Sequence, residues 1–258
     1  MEHFMKTWIL FGILATLAFE QALAFQADKV QPVPAAPAAD STLASEQAAQ
    51  PTINSAAESK EAPSTDAKNS AYDPLKISKQ KIETVLFDIK DSSRSREIPI
   101  RVYLPKETKP APVILFSHGL GGSRNNNAFL GNHWAARGYV AVFLQHPGSD
   151  ESVWKGQRPR EIMGAMKKAA NGENFSLRVK DVPAVIDQLA KWNKESNHPL
   201  QNRLDLDRLG MTGHSFGAVT TQAVSGQHYL GRPQFTDSRI KAALPMSPSA
   251  PRAGSAER

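Results

Sequence analysis

A serine between two glycines, Gly213-His214-Ser215-Phe216-Gly217, is the pattern in this chain best suited to covalent chemistry. A serine hydroxyl attacks a carbonyl carbon when a base can take its proton and when it stands clear of its own backbone. A tight strand-to-helix turn meets the second condition, and Gly213 and Gly217 remove side chains that would collide across that turn. The same turn aims the Phe216 N–H, at a helix N-terminus, toward the oxyanion that attack creates. A second donor is available in His118-Gly119-Leu120-Gly121-Gly122, a glycine-rich strand end whose backbone can approach a substrate closely. Leu120 N–H is the candidate there. His118 reads as a scaffold that holds the loop through a backbone hydrogen bond, and His214 as a side chain packed beside the serine.

The elements that must position these groups follow from pattern. Ile82 to Ile89 and Ile98 to Leu104 are β-rich runs separated by polar residues 91–96, which suggests a leading antiparallel pair stopped by Pro105. Pro112 to Phe116 and Tyr139 to Leu144 are continuous apolar runs of the kind covered on both faces of a sheet. Phe129, Leu130 and Trp134 between them predict a helix that Gly138 would end. Val182, Val185, Ile186 and Leu189 lie on one helical face, with Asp181 as N-cap and Pro183 in the first turn. Residues 145–180 read as a long, polar, partly helical excursion over the sheet, and residues 193–205 as turns. A short run, Leu209 to Thr212, delivers the chain to the serine. A helix over about 216–225 and a strand from Ile240 to Met246 complete the series. Strands alternating with helices predict an α/β fold with a mostly parallel sheet.

Four segments together resemble the dienelactone-hydrolase-like esterases related to platelet-activating-factor acetylhydrolases. They are His118-Gly119-Leu120-Gly121-Gly122-Ser123, Gly138-Tyr139-Val140-Ala141-Val142, His146-Pro147-Gly148-Ser149 and the Ser215 motif. The similarity spans residues 82–247. It implies an α/β hydrolase fold and hydrolysis of a small ester or lipid-like substrate, with Ser215 matching the nucleophile and Leu120 and Phe216 the oxyanion donors. Dienelactone hydrolase itself uses a cysteine, so the serine favours the esterase side of the group. The family sets an acid and then a histidine on later strands. Here the histidine after Ser215 is His228, the acids are Asp237 and Glu257, and His228 precedes Asp237. No residue of the chain is therefore assigned as the acid or the histidine of a triad, and the expected architecture is an α/β hydrolase lacking its last strands. Two functions compete: a serine-dependent carboxylic ester hydrolase, and a noncatalytic binding protein that keeps the hydrolase fold.

Composition narrows the setting. Residues 1–24 read as a signal peptide, with Lys6 before the apolar run Thr7 to Phe19 and Ala22-Leu23-Ala24 as the cleavage site. Glu20 interrupts that run short of the roughly 20 apolar residues a stable membrane anchor needs. Residues 25–72 are rich in Ala, Pro and Ser with few large apolar side chains, the signature of a disordered linker. Residues 73–258 hold the hydrolase domain. These features predict a periplasmic or secreted protein. The absence of cysteine excludes a thiol nucleophile and a disulfide framework. The net charge of +6 is dispersed and no nucleic-acid motif accompanies it, so a solvated basic surface is expected rather than a nucleic-acid partner. No histidine pair has metal-ligand spacing with carboxylates, and no metal or other cofactor is expected.

Overall fold

The structure is a computed structural model that describes residues 82–228 and 234–248. The signal segment 1–24 and the linker 25–72 lie outside the described residues. Among those described, six strands form one sheet in the order β1-β2-β4-β3-β5-β6. The leading pair is antiparallel as its alternation predicts: β1 (Glu83–Asp91) turns through Ser92–Arg94 into β2 (Arg96–Leu104). The turn closes on Asp91, whose carboxylate accepts from Ser93 N–H, and on Ser95 in the left-handed region. β2 joins the sheet antiparallel to β4 (Val140–Leu144), while β3 (Ala111–Ser117), β4, β5 (Leu204–His214) and β6 (Ile240–Met246) run parallel.

The two faces of the parallel strands are read off with period 2. Val113, Leu115, Val140, Val142 and Leu144 point into one core, and Phe116, Ala141 and Phe143 into the other. The first core is covered by α3 (Gly172–Lys194) and α4 (Phe216–Val224), the second by α1 (Ala128–Ala136) with Tyr103 beneath it. Helices thus cover both faces, and continuous apolar strands are what that arrangement demands. α2 (Pro159–Ala169) is amphipathic and buries Met166 and Ala169.

Three element boundaries differ from the sequence expectations. α3 begins ten residues earlier than the apolar stripe suggests, because Asn171 caps it by accepting from Asn174 N–H at 2.7 Å. Asp181 is not an N-cap; it lies inside the helix, fully buried. Pro183 consequently sits in the helix interior, where it withholds one backbone donor. β5 reaches back to Leu204 through a register shift opposite Pro112 and Val113, so part of the expected turn region 193–205 is strand and part is the last turn of α3.

The chain order explains where a site must lie. From β3 it passes to β4 on one side, then crosses back over β3 to form β5 on the other. The carboxyl ends of β3 and β5 are therefore neighbours at the reversal point, the crevice where open α/β sheets place ligands.

Candidate active site

Ser215 stands at that point, between the end of β5 and the first turn of α4. Its backbone adopts φ 56 and ψ −116, a conformation that side chains other than glycine rarely occupy. The neighbours enforce it. A Cβ on Gly217 would overlap the Ser117 carbonyl, and one on Gly213 would strike the Gly217 backbone, so the turn closes only with glycine at both places. Ser215 N–H donates to Met246 O at 3.1 Å, and Ser215 O accepts from Ala218 N–H at 2.9 Å to start the helix. Ser215 is 7% exposed.

The loop after β3 lies against this turn. A Cβ placed on Gly119 would come within 3.6 Å of Ser215 Cβ and 3.4 Å of His214 O, so Leu120 follows directly beside the serine. Gly121 needs its glycine for φ +73, and the flexible end of Met166 packs on it. The excursion 145–180 holds this loop in place, a task its polar sequence did not announce. Gly121 N–H donates to Ser149 O at 2.8 Å, Glu151 N–H to Gly122 O at 2.8 Å, and Trp154 Nε1–H to Gly121 O at 2.7 Å. Gly122 and Asp150 form a parallel bridge.

Beneath the loop lies a buried polar layer that sequence reasoning missed. Asp181 accepts from Arg94 Nη1 at 2.9 Å, from Arg96 Nε and Nη2 at 2.8 Å each, and from His146 Nδ1 at 2.9 Å. His146 Nε2 accepts from the Ser117 hydroxyl at 2.9 Å. His118 Nδ1–H donates to Gly119 O at 2.6 Å, and its Nε2 accepts from His146 N–H at 3.1 Å. Each ring nitrogen thus has one donor or acceptor role, which assigns both histidines as neutral with the proton on Nδ1. Burial, reinforced by the Arg178 charge, drives His146 down to about 4 and His118 well below its ordinary value. Burial alone would raise Asp181, but bonds from His146 and Arg96 outweigh it and hold the carboxyl at about 2. His118 is therefore the scaffold its position suggested. Ser117, His146 and Asp181 have the connectivity of a triad but are fully buried, with Ser117 at the end of a strand rather than on an exposed turn.

The remaining ionisable groups fall elsewhere. His214 is the exposed variable residue of the turn, and partial desolvation of its ring lowers its pKa. His228 and Asp237 lie past the C-terminal end of α4, and nine helical residues at ~1.5 Å each separate them from Ser215 by roughly 13 Å. Asp237 is saturated by Arg239, at 2.9 and 2.6 Å. Among the described residues no histidine hydrogen-bonds Ser215 Oγ, and no group of three His, Cys, Asp or Glu could hold a metal ion. No helix among them is long and apolar enough to cross a membrane. A cavity of about 470 Å³, lined by Pro105, Lys109, Ala111, Ala135 and Arg137, opens at the amino ends of β3 and β4, the opposite edge of the sheet from Ser215.

A serine on a strained strand-to-helix turn, a glycine-rich loop beside it and this strand order define an α/β hydrolase of the serine esterase and peptidase class. The X-Pro dipeptidyl-peptidase (S15) family matches residues 95–230, just over half of the chain, and the chain belongs to that family. It is similar to Cutinase est1 of Thermobifida alba, 24% identical over 147 residues that make up 57% of this chain and 38% of that protein. It is also similar to platelet-activating factor acetylhydrolase of Canis lupus familiaris, 26% identical over 143 residues, 44% of this chain and 32% of that protein. The chain spans well under half the length of these curated relatives. A ferulic acid esterase from Streptomyces cinnamoneus aligns in structure with a TM-score of 0.41 at 18% identity, over 55% of this chain and 54% of that one.

Proposed function

We propose that the protein is an exported serine hydrolase of carboxylic esters, in which Ser215 is the nucleophile and the Leu120 and Phe216 N–H groups receive the oxyanion. The observation that carries this is the approach of the glycine-rich loop to the serine turn at the joined ends of β3 and β5, where a Cβ added to Gly119 would lie 3.6 Å from Ser215 Cβ. Attack forms a bond from Ser215 Oγ to the carbonyl carbon and moves an electron pair onto the carbonyl oxygen. Donors already fixed in place stabilise that charge without reorganising, which is the largest contribution such sites make. The acetylhydrolase and cutinase names of two relatives favour an ester of a short or lipid-like acyl group. Export rests on the sequence of residues 1–24, and N-terminal sequencing of protein from the native host should find Phe25 first.

A second function is a hydrolase-fold protein that binds esters without turning them over; among the described residues no histidine hydrogen-bonds Ser215 Oγ to take its proton. Two measurements on the full chain separate these. A fluorophosphonate probe reports the nucleophile and the oxyanion donors, and release of p-nitrophenol from short acyl esters reports turnover. Labelling that Ser215→Ala abolishes, with folding retained, supports the hydrolase site. Both reactions need the Ser215 proton to be taken up, so a hydrolase shows labelling and turnover together, whereas a binding protein shows neither above the Ser215→Ala background. Unchanged labelling or turnover in Ser215→Ala removes the assignment. An X-Pro p-nitroanilide in the same panel tests the substrate class that the family's description names.

A further inference from the structure

Arg178 is a charged residue on the apolar face of α3, in line with Phe175, Val182, Val185 and Leu189, and its side chain is fully buried. We propose that Arg178 is the positioning residue of this site, tying the loop that carries Leu120 to the helix that carries Phe216 so that both N–H groups face one oxygen. The proposal rests on the assignment of Ser215 and its oxyanion donors made above.

The contacts of the guanidinium reach three segments that have no other reason to be joined by one side chain. Nη2 donates to Ser117 Oγ at 2.9 Å and to the His118 carbonyl, at the end of β3 and two residues before Leu120. Nη1 donates to Ser149 Oγ at 3.0 Å, and Ser149 O accepts from Gly121 N–H, the residue after Leu120. Nε donates to Thr220 Oγ1 at 3.1 Å, and that hydroxyl donates in turn to Phe216 O at 3.0 Å. The guanidinium carbon also lies 4.5 Å from the centre of the Phe216 ring, over its negative face. One rigid, planar group therefore contacts the backbone or side chains flanking both donors. A fork of fixed geometry transmits distance in a way that a flexible ammonium does not.

The choice of acceptors separates positioning from simple packing. A cation buried only for stability takes a carboxylate partner, and Asp181, one turn further along the same helix, would be the obvious one. That carboxylate is occupied by Arg94, Arg96 and His146, and the four acceptors bound by Arg178 are hydroxyls and a carbonyl. An apolar residue of similar volume would fill the space between α3 and β3 at lower desolvation cost. What it could not supply is a bond to each of three segments at once. The hydroxyls are themselves committed: the Ser117 proton goes to His146, the Ser149 proton to His146 O at 3.2 Å, and the Thr220 proton to Phe216 O. Each therefore offers Arg178 a lone pair in a set direction.

The test uses the full chain and its Arg178→Met, Arg178→Lys, Ser149→Ala and Thr220→Val variants. Circular dichroism checks folding. Hydrogen–deuterium exchange is followed in peptides covering residues 117–122 and 215–220, with the β1–β2 hairpin as internal reference. In Arg178→Met, exchange in both peptides should accelerate by about tenfold or more while the hairpin is unchanged. Fluorophosphonate labelling at Ser215 should lose about 100-fold in its limiting rate, the scale of a lost oxyanion donor, with the half-saturating probe concentration within about twofold. Arg178→Lys should recover part of both effects. Thr220→Val should loosen only 215–220, and Ser149→Ala only 117–122. Should Arg178→Met fail to fold, those two single-contact variants decide, and unchanged exchange in both overturns the proposal. So does folded Arg178→Met with wild-type exchange, or a labelling defect confined to the half-saturating concentration. If the wild-type chain is never labelled at Ser215, the nucleophile assignment fails, and the exchange arm still decides whether Arg178 holds the two segments together.

Discussion

Mild acid should destabilise this protein by charging a histidine that the fold needs neutral. His146 is fully buried between Asp181 and Ser117, and burial together with the Arg178 charge lowers it from 6.5 to about 4. Below pH 6.5 the unfolded chain takes up that proton and the folded one does not. The contribution is therefore present in full above the unfolded value and is lost as pH falls from 6.5 toward 4. A difference of that size corresponds to about 3 kcal/mol at ~1.4 kcal/mol per pKa unit. His118, also buried and shifted in the same direction, adds to the loss. Asp181 acts in a lower window: its carboxyl is held at about 2 against 3.8, so its contribution persists above 3.8 and disappears as pH falls toward 2. Against a typical domain stability of about 5 to 15 kcal/mol, a loss of that size removes a large fraction of the stability between pH 6.5 and 4. Urea unfolding followed by circular dichroism at pH 7.5, 6.5, 5.5 and 4.5 measures it, and the slope between 6.5 and 4.5 should reach about 1.4 kcal/mol per pH unit or more. His146→Asn, although less stable at pH 7.5, should show a shallower slope. A flat profile from pH 6.5 to 4.5, or an unaltered slope in His146→Asn, would refute the assignment of a neutral buried imidazole.

Other substitutions probe the turn and the groups excluded from it. Gly217→Ala drives a Cβ into the Ser117 carbonyl, a backbone atom that cannot swing aside, and should cost ~3 kcal/mol in urea unfolding, at the upper end of overpacking effects. Gly164→Ala is the opposite case: the position lies inside α2 with nothing within 4 Å of the added carbon, and stability should rise by about 0.5 to 1 kcal/mol. His228→Ala should leave fluorophosphonate labelling at Ser215 unchanged, because that histidine lies beyond the far end of α4. A large fall in labelling would show that it reaches the serine.

The parts of this protein legible in the sequence are those in which a residue acts through its immediate neighbours. The spacing of Gly213, Ser215 and Gly217 describes a local turn, and β6 runs from Ile240 to Met246 as its mainly apolar sequence between Arg239 and Ser247 predicts. The apolar stripe Val182, Val185, Ile186 and Leu189 correctly gave a buried helix face. The same stripe also held a signal that its apolar members concealed. Extended one turn toward the N-terminus, it passes through Asp181 and Arg178, two charges where solvent-facing residues do not belong. Charged side chains at the buried positions of a helix are rarely tolerated without partners, so their presence on that face demanded acceptors and donors from elsewhere in the fold. Those partners, Arg94 and Arg96 from the hairpin, Ser117 and His118 from β3, His146 and Ser149 from the loop after β4, Thr220 from α4, are dispersed over more than a hundred residues. No local pattern links them, because hydrogen bonds between separate elements leave no period in the chain. The reading of Asp181 as a cap failed for the same reason: an acid before an apolar run looks like a helix start, and only the tertiary demand for a carboxylate beneath the loop places it mid-helix. The serine turn was visible because its geometry is local, and the buried polar layer beneath the glycine-rich loop was not, because its geometry belongs to the assembled sheet.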